Sequence, residues 1–406
     1  MPLRIVVHDY SGHPFQVQLS RELARRGHRV LHLHSPSYRS GKGALDRLPD
    51  DPDTLAIEPV DLGRTFDKYS PARRLLQERA YGRQLVERLQ REPADVVLSG
   101  NTPLFAQSLL LAECRRRGVP FVFWQQDVYS LPMQREAERR LPPVVGPLVG
   151  RRFVGLERRL LRESDAVVTI AGDFRETLLA WGLPAEKVRV IENWAPLDEL
   201  PQRPRDNDWA RRHDLAGKRV LLYSGTLGLK HDPGLLLRLA RELDHEATIV
   251  VVSEGLGADW LRREADAQAT DNLVLLPFQP YDELPDVLAS GDVLLVLLER
   301  AAGRFAVPSK VLSYLCAGRP LLAAVPAENL AAAVVRASGA GVVVDPDDED
   351  GVVAAARRLV DGDDRVALGR AARTYAERTF DIAAVGGRFE EVLMTAAGTT
   401  QVPSAP

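Results

Sequence analysis

The chain has 406 residues, and its 53 Lys and Arg against 56 Asp and Glu give a formal net charge of −3. This balance excludes a polyanion binder that relies on bulk positive charge, while 45% hydrophobic and 27% charged residues are typical of a globular protein with a large core. The only cysteines, Cys114 and Cys316, exclude a disulfide scaffold and a Cys-based zinc site.

Two absences bear on where the protein works. The N-terminus has too short an apolar run for a signal peptide, and no stretch reaches the roughly 20 apolar residues of a membrane-spanning helix. Together with two lone thiols, which fit a reducing compartment, this predicts a cytoplasmic protein. Peripheral contact with the inner face of the plasma membrane stays open.

Strands and helices are predicted to alternate through the first half. The predicted strands are 3–7, 29–34, 94–98, 121–124, 165–170 and 188–191. Phe15, Leu19 and Leu23 recur at helical spacing after the first strand, and further helices are predicted at 104–117 and 173–181. Residues 195–217 are rich in Pro, Asp and Arg without an apolar period, which predicts a linker.

The second half repeats the alternation. Its predicted strands are 220–223, 248–252, 273–276, 293–298, 321–324 and 341–344, and three helices near 348–359, 364–378 and 382–395 close the chain. Alternating strands and helices imply parallel sheets with right-handed crossovers. We therefore predict an α/β protein with two doubly wound Rossmann-like domains facing a cleft. Its parts are a first domain (1–195), a linker (196–217), a second domain (218–378), a C-terminal helix (379–396) and a tail (397–406).

Ligands of open α/β sheets bind beyond the carboxyl ends of the strands, so the residues that follow each strand are the candidates. In the first half, Gly12 lies between a strand and a helix, where backbone N–H groups can approach an anion; a plain tight turn is the alternative. Asp127 follows the strand at 121–124 and is a candidate base or acceptor ligand, with helix capping as the alternative.

The second half offers a candidate diphosphate site. Ser224 and Gly225 follow a strand, and Lys230 comes shortly after them, so the loop offers N–H donors and a point charge. A surface lysine after a flexible turn is the alternative.

Further candidates follow the neighbouring strands. Glu254 and Phe278 could bind a nucleoside, although ordinary turn chemistry also explains the presence of both residues after these strands. Pro308, Ser309 and Lys310 occupy the start of a predicted helix. A lysine there is electrostatically misplaced unless an anion binds beside it, or unless it points into solvent.

Residues 134–163 carry eight arginines around a mostly apolar stretch, 141–149. A basic segment with exposed apolar residues can rest on anionic lipid. A solvated helix pair packed on the domain explains the same composition, so both interpretations stay open. The two Asp-x-Asp sequences, at 206–208 and 345–347, are interpreted as turns rather than as holders of a metal-bound diphosphate.

The whole chain to about residue 395 resembles the family 4 glycosyltransferases of the GT-B fold. The resemblance is greatest to the bacterial subgroup of O-antigen, capsule and exopolysaccharide assembly, which includes fucosaminyl-transferase-like enzymes. The segments that carry it are 11–14 (SGHP), 126–127 (QD), 191–194 (IENW), 224–231 (SGTLGLKH) and 308–320 (PSKVLSYLCAGRP).

The resemblance implies a retaining transfer of a hexosyl or N-acetylhexosaminyl group from a nucleotide sugar, such as a UDP- or GDP-sugar. It implies no cofactor and no obligatory metal. The donor would lie against the second domain, and a glycan or polyprenyl-diphosphate-linked acceptor against the first. By resemblance, Gly12 approaches the donor phosphates, Lys230 pairs with the diphosphate, Asp127 lies near the reacting centre and Phe278 meets the base. The last helix would cross back to the first domain.

The chain departs from the family pattern at Phe305 and Ser313, and also near Thr226, where the usual Arg upstream of the diphosphate Lys is missing. Many members have two glutamates where this chain has Phe305 and Ser313, which puts the usual ribose and sugar contacts in doubt; Lys310 is then expected to take over part of the anion binding. Phe305 and Ser313 leave a non-catalytic nucleotide-sugar-binding relative as one alternative, and the two-domain architecture that nucleotide-sugar 2-epimerases share leaves such an epimerase as another. The epimerase needs a set of acids and bases that we cannot place beside Lys230.

Overall fold

A computed structural model of the chain describes residues 1–37, 44–63, 71–228, 231–302 and 310–398. The chain divides into two compact units, each with its own parallel sheet. Unit 1 comprises Met1–Glu192 and Ile382–Pro406, and unit 2 comprises Asn193–Asp381.

Thirteen strands are present among the described residues. Those of unit 1 are β1 (Arg4–Asp9), β2 (Arg29–His34), β3 (Leu55–Pro59), β4 (Val96–Gly100), β5 (Phe121–Gln125), β6 (Ala166–Thr169) and β7 (Val188–Val190). Those of unit 2 are β8 (Val220–Ser224), β9 (Thr248–Val252), β10 (Leu273–Leu276), β11 (Val293–Leu297), β12 (Leu321–Ala324) and β13 (Gly341–Val344).

The α-helices lie between and after these strands. They are α1 (Pro14–Arg25), α2 (Pro71–Gln90), α3 (Leu104–Arg117), α4 (Ser130–Arg140), α5 (Val145–Glu163), α6 (Gly172–Ala180), α7 (Asp208–Arg212), α8 (Pro233–Glu242), α9 (Leu256–Ala267), α10 (Leu284–Ala289), α11 (Lys310–Ala317), α12 (Leu330–Ser338), α13 (Glu349–Asp361), α14 (Arg365–Thr379) and α15 (Ile382–Ala396).

Both sheets are parallel and doubly wound. Unit 1 has the strand order β3-β2-β1-β4-β5-β6-β7, and unit 2 has the order β10-β9-β8-β11-β12-β13. In unit 1 the register places Ile5 beside Val30 on one side and Val96 on the other. Every residue of β11 is buried, as expected for a strand covered on both faces. The predicted fold class, two doubly wound α/β domains with parallel sheets, is confirmed.

The sequence interpretation missed the strand β3 and the helices α2 and α7, and it gave the helix pair α4–α5 only as one of two interpretations of residues 134–163. Only the first residue of β3 is fully buried, so this strand lacks the buried apolar run that marks the other strands. In α2 the buried stripe is narrow: Tyr81, Leu85 and Leu89 point into the core, while Leu76 is 68% exposed. A helix with so few apolar positions gives little periodicity above its many charged residues.

The segment 196–217, predicted to be a linker, is built into unit 2. Trp209 in α7 is buried, and its indole N–H donates to Gln279 Oε1 at 3.0 Å. Asn207 caps α7 and also donates to the Asp286 carbonyl and Ser290 Oγ. One aromatic anchor and one capping amide thus order a segment that has no apolar period.

The last helix, α15, packs within unit 1. The Phe389 ring lies 4.8 Å from the Trp124 ring, centroid to centroid, and both residues are buried. Glu390 pairs with Arg26 at 2.8 Å and with His28 at 2.9 Å. The predicted tail, 397–406, lies outside the described residues from 399 onward.

Helices α4 and α5 form a tightly packed hairpin. A Cβ at Gly146 would lie 2.8 Å from the Ala137 carbonyl oxygen, whereas a Cβ at Gly155 on the same helix would meet nothing within 4 Å. The glycine near the turn is therefore required by close helix contact, and the other is not.

These two glycines give a matched pair of predictions. Gly146→Ala is expected to lower the free energy of unfolding by about 1–3 kcal/mol because backbone must move. Gly155→Ala should raise it by about 0.5–1 kcal/mol because alanine is the better helix former. Urea titration of both variants tests this; equal effects would show that α4 and α5 do not pack this closely.

Candidate functional site

The loop between β1 and α1 is held by a buried carboxylate. Asp9 ends β1 and accepts hydrogen bonds from the backbone N–H of Ser11 at 3.0 Å and of His13 at 2.7 Å. Gly12 between them has φ 69°, a left-handed conformation that a residue with a Cβ adopts at a cost. The predicted phosphate residue Gly12 thus lies in a fixed turn directly before the N-terminus of α1.

Behind this loop is a layer of buried histidines that sequence reasoning did not identify. His8 bonds Ser99 Oγ through Nδ1 and Tyr81 Oη through Nε2, both at 2.9 Å. His32 Nδ1 lies 2.9 Å from Ser20 Oγ. Burial lowers the pKa of His8 to about 3, so it is neutral at physiological pH and acts as a structural hydrogen-bonding group.

Asp127 lies in the bend directly after β5 and is half-buried. The loop that carries it is organised by Glu157, a fully buried carboxylate on α5. Glu157 accepts hydrogen bonds from the backbone N–H of Tyr129 at 3.1 Å and of Ser130 at 2.9 Å. Its carboxylate therefore provides hydrogen-bond acceptors for backbone N–H groups at the start of α4, which have no partner within the helix. It also fixes the chain two residues after Asp127.

Burial raises the pKa of Glu157, against the hydrogen bonds from Ser130 and Tyr129 that lower it. A carboxyl with a raised pKa in the folded state binds its proton more tightly there than in the unfolded chain. Its ionisation therefore removes stability as the pH rises from the usual carboxyl range through the raised value.

This gives a pH prediction. Glu157→Gln removes the ionisation. The free energy of unfolding of this variant should therefore rise relative to that of the parent protein as the pH increases from about 4.5 to 7.5. Urea titrations across that range measure the difference. Glu138→Gln, at an exposed position on α4, is the control. If the two variants show the same pH dependence, burial of Glu157 does not raise its pKa.

In unit 2, the carboxyl end of β8 is tied to α11. The backbone N–H of Ser224 donates to Tyr314 Oη at 2.9 Å, and that hydroxyl donates to the Ser224 carbonyl at 3.0 Å. Gly225 follows with φ 129°. Tyr314 is buried and lies on α11, so it fixes the position of the loop relative to this helix.

Lys310 begins α11 and reaches the same loop. Its Nζ lies 3.5 Å from the centroid of the Tyr223 ring and 3.2 Å from where a Cβ at Gly225 would be. The structure thus brings together three predicted site residues, Ser224, Gly225 and Lys310. The ammonium is buried and is not directed into bulk solvent.

The neighbouring loop, after β9, is fastened to the loop after β8. Leu227 donates its N–H to Ser253 Oγ at 3.0 Å, and its carbonyl accepts the N–H of Gly257 at 3.2 Å. Glu254 lies between these contacts and is exposed. Its carboxylate is therefore available at the same edge of the sheet as Gly225.

Two further residues follow the adjacent strands. Phe278 lies two residues after β10 and is half-buried. Glu299, which sequence reasoning did not single out, follows β11 and is half-buried. Burial and the nearby Asp232 raise its pKa. The strand order places the loops after β8, β9, β10 and β11 along one edge.

Three predicted site residues, Lys230, Pro308 and Ser309, lie outside the described residues, as does Phe305. Ser313 lies on α11 and is half-buried. The turn prediction for 345–347 is confirmed: Asp347 N–H donates to Asp345 Oδ1 at 3.0 Å, and both carboxylates pair with Arg300. Within the described ranges, no group of three His, Cys, Asp or Glu side chains is placed to hold a metal ion.

Sequence reasoning missed Tyr223, Tyr314 and Glu157, which organise the candidate site. Tyr223 lies within an apolar strand, and Tyr314 lies on the buried face of a helix. Glu157 is one of four glutamates among arginines at 134–163. For Glu157 the only signal would have been an acid on the apolar side of an otherwise amphipathic helix.

Comparison with known proteins identifies the class. Residues 13–194 match the family described as glycosyl transferase 4-like domain, and residues 206–375 match glycosyl transferases group 1. The chain therefore belongs to the family 4 glycosyltransferases and has their GT-B fold.

Two curated relatives are similar to this chain. It is 31% identical over 244 residues to a putative colanic acid biosynthesis glycosyl transferase, WcaI, of Escherichia coli K12, covering 58% of each chain. It is 24% identical over 269 residues to the probable glycosyltransferase WbjE of Pseudomonas aeruginosa, covering 66% of this chain and 65% of that one. The chain thus matches less than two thirds of either relative's length.

Solved structures share the fold. HepE of Anabaena, determined with UDP and glucose, has a TM-score of 0.73 at 15% identity and covers 97% of this chain and 100% of that one. Sucrose-phosphate synthase of Thermosynechococcus elongatus has a TM-score of 0.70 at 15% identity, covering 98% and 100%. No helix in the described part of the chain is both long and apolar enough to cross a membrane.

Proposed function

We propose that the protein is a retaining glycosyltransferase that moves a sugar from a UDP- or GDP-sugar to a glycan or polyprenyl-diphosphate-linked acceptor in cell-surface polysaccharide biosynthesis. Unit 2 would hold the donor and unit 1 the acceptor. Support comes from the two matched families, from the UDP and glucose bound to HepE, and from the colanic acid biosynthesis named for WcaI.

One observation carries the donor assignment. Lys310 places its ammonium at the start of α11, the end of a helix that already has positive potential, and beside Gly225. Two positive features at one glycine-containing loop favour an anion there. The diphosphate of a nucleotide sugar has the charge and size for this position, at the strand edge where such folds bind ligands.

The chemistry requires stabilisation of a departing nucleoside diphosphate while positive charge develops on the sugar. In this proposal Lys310 and Lys230 face the leaving group, and the N–H groups of the loop after β8 share its charge. Fixed cations can supply the charge that a divalent metal would otherwise supply. We therefore propose that transfer needs no added metal.

The remaining predicted residues have proposed roles around this centre. Glu254 would hydrogen-bond the ribose, Phe278 would contact the base, and Gly12 would bring the N-terminus of α1 towards the phosphates. Asp127 would act on the acceptor. Ser313 stands where many family members have a glutamate. In this proposal the shorter serine hydroxyl takes the place of the carboxylate that would contact the sugar.

The test is product analysis with each candidate nucleotide sugar, with and without a glycan acceptor. A new glycoside whose anomeric configuration equals that of the donor supports the proposal, and NMR of the anomeric proton reads it directly. Isomerisation of the donor without acceptor would identify a 2-epimerase instead. Nucleotide binding without turnover on any acceptor would identify a non-catalytic relative and contradict the proposed transfer.

A further inference from the structure

The turn of the α4–α5 hairpin exposes an unusual amount of apolar surface. Among the described residues eight large apolar side chains are exposed, and four of them lie within 141–148. We call these four the hairpin tip; they are Leu141 (38% exposed), Val144 (83%), Val145 (44%) and Leu148 (57%). Scattered single apolar residues are normal on a surface, but a contiguous group marks a contact site.

Exposed arginines surround the hairpin tip. Arg139 and Arg140 end α4, and Arg151 and Arg152 lie one turn into α5 beyond Leu148. We call these four the arginine collar. Since an α-helix rises 1.5 Å per residue, Arg151 lies about 5 Å along α5 from Leu148. An apolar tip with cations about 5 Å behind it matches the depth of the boundary between lipid headgroups and acyl chains.

The charges of the collar are only partly neutralised within the protein. Arg139 pairs with Glu136 at 2.8 Å, and Arg140 contacts the same carboxylate. The side chains of Arg151 and Arg152 form no ion pair or hydrogen bond with another residue that the structure describes. The collar therefore presents net positive charge around the tip, which complements a surface of negative lipid headgroups.

The shape of the surface favours a bilayer over a protein groove. A helix that docks in a groove presents a stripe of apolar residues at i, i+3, i+4 and i+7. The tip residues have this spacing in sequence, but Leu141 is extended and precedes α5, so they do not form one helical stripe. They cluster at a turn that also contains Pro142 and Pro143, both exposed, and Arg151 and Arg152 follow one turn later on α5. The hairpin is also stiff, because Gly146 and Gly150 bring α5 close to α4.

We propose that the hairpin tip inserts into the headgroup region of an anionic lipid bilayer and that the arginine collar binds the lipid headgroups. This surface is separate from the proposed donor site in unit 2. The inference does not rest on transfer activity, and it would position unit 1 at a membrane that carries lipid-linked molecules.

The test is sedimentation with sucrose-loaded vesicles, using the whole chain without nucleotide or acceptor. Vesicles of phosphatidylcholine with phosphatidylglycerol are compared with pure phosphatidylcholine. Two variants address the surface, Val144→Glu/Leu148→Glu at the tip and Arg151→Glu/Arg152→Glu in the collar. The control is Val366→Glu/Arg370→Glu, which changes an exposed valine and an exposed arginine one turn apart on α14.

The parent protein is expected to bind anionic vesicles and to bind neutral ones at least tenfold more weakly. Each arginine near an anionic surface contributes about fivefold to partitioning, so the collar variant should lose about 30-fold or more. The tip variant should lose binding to a similar extent, and the control should bind as the parent does. Circular dichroism and melting of every variant verify folding, which changes at exposed positions should preserve.

Two results would overturn the proposal. One is a parent protein that does not sediment with anionic vesicles at low salt; if it dimerises through the tip instead, the surface is a contact between copies of this chain. The other is vesicle binding that both surface variants retain. Because no nucleotide is present, either result leaves the donor-site proposal intact.

Discussion

Replacing Lys310 by alanine is expected to weaken binding of the cognate nucleoside diphosphate by about 10- to 100-fold. The Lys310 ammonium lies 3.5 Å from the Tyr223 ring and beside Gly225, so it is held in one place before any ligand arrives. A hydrogen bond to a charged group contributes about 1.5–3 kcal/mol, and each 1.4 kcal/mol is a factor of ten in affinity. Isothermal titration calorimetry measures the loss.

The matched control is Lys218→Ala. Lys218 is exposed and lies just before β8, at the opposite end of the strand that leads to Gly225. It contributes the same charge to the unit without approaching the carboxyl edge of the sheet. Equal affinities for the Lys310→Ala and Lys218→Ala variants would contradict a diphosphate at Gly225.

Asp127→Asn is expected to lower kcat by about 10²- to 10⁴-fold, the range that a positioned acid or base contributes. The amide keeps the shape of the side chain but cannot take up a proton. Because the Glu157 carboxylate fixes the backbone of Tyr129 and Ser130, the loop should keep its conformation. A steady-state assay with the donor and acceptor found by product analysis gives kcat.

Asp173→Asn is the control for this prediction. Asp173 is exposed in the first turn of α6, directly after β6, the strand next to β5. Nucleotide binding should be unchanged in both variants, since the donor is proposed to bind unit 2. If Asp127→Asn retains the parent kcat, Asp127 has no part in the chemistry, and its carboxylate serves the loop alone.

The strands of unit 2 could be predicted from the sequence because they are uninterrupted apolar runs bounded by polar turns. Predicted and observed bounds agree for β9, β10, β12 and β13. β3 and α2 could not be predicted in this way. β3 is five residues long and only Leu55 is fully buried, and α2 has a narrow buried stripe among many charged residues. The ordered segment around Trp209 depends on partners about 70 residues further along the chain, which no local pattern reveals.

The sequence indicated which loops carry the candidate site residues, but it did not indicate which side chains contact each other. The rule that ligands bind beyond strand ends pointed to the loops after β5 and β8, and the structure places Asp127 and Gly225 directly after these strands. It could not show that Lys310 would meet Tyr223, or that Tyr314 would tie the loop to α11, because these contacts join residues about 90 apart. Glu157 was missed because its shortest hydrogen bonds come from the backbone of Tyr129 and Ser130, which a side-chain pattern does not show.

Unit 2 is proposed to bind a nucleoside diphosphate at the loop after β8. The most direct measurement is thermal unfolding with UDP, GDP, dTDP and ADP, on the parent protein and on Lys230→Ala. A nucleotide at about 100 times its dissociation constant should stabilise the parent by about 2.7 kcal/mol, with a clear rise in melting temperature. We predict that one of the four does so and that the rise is much smaller for the variant; no rise with any of them would contradict the claim.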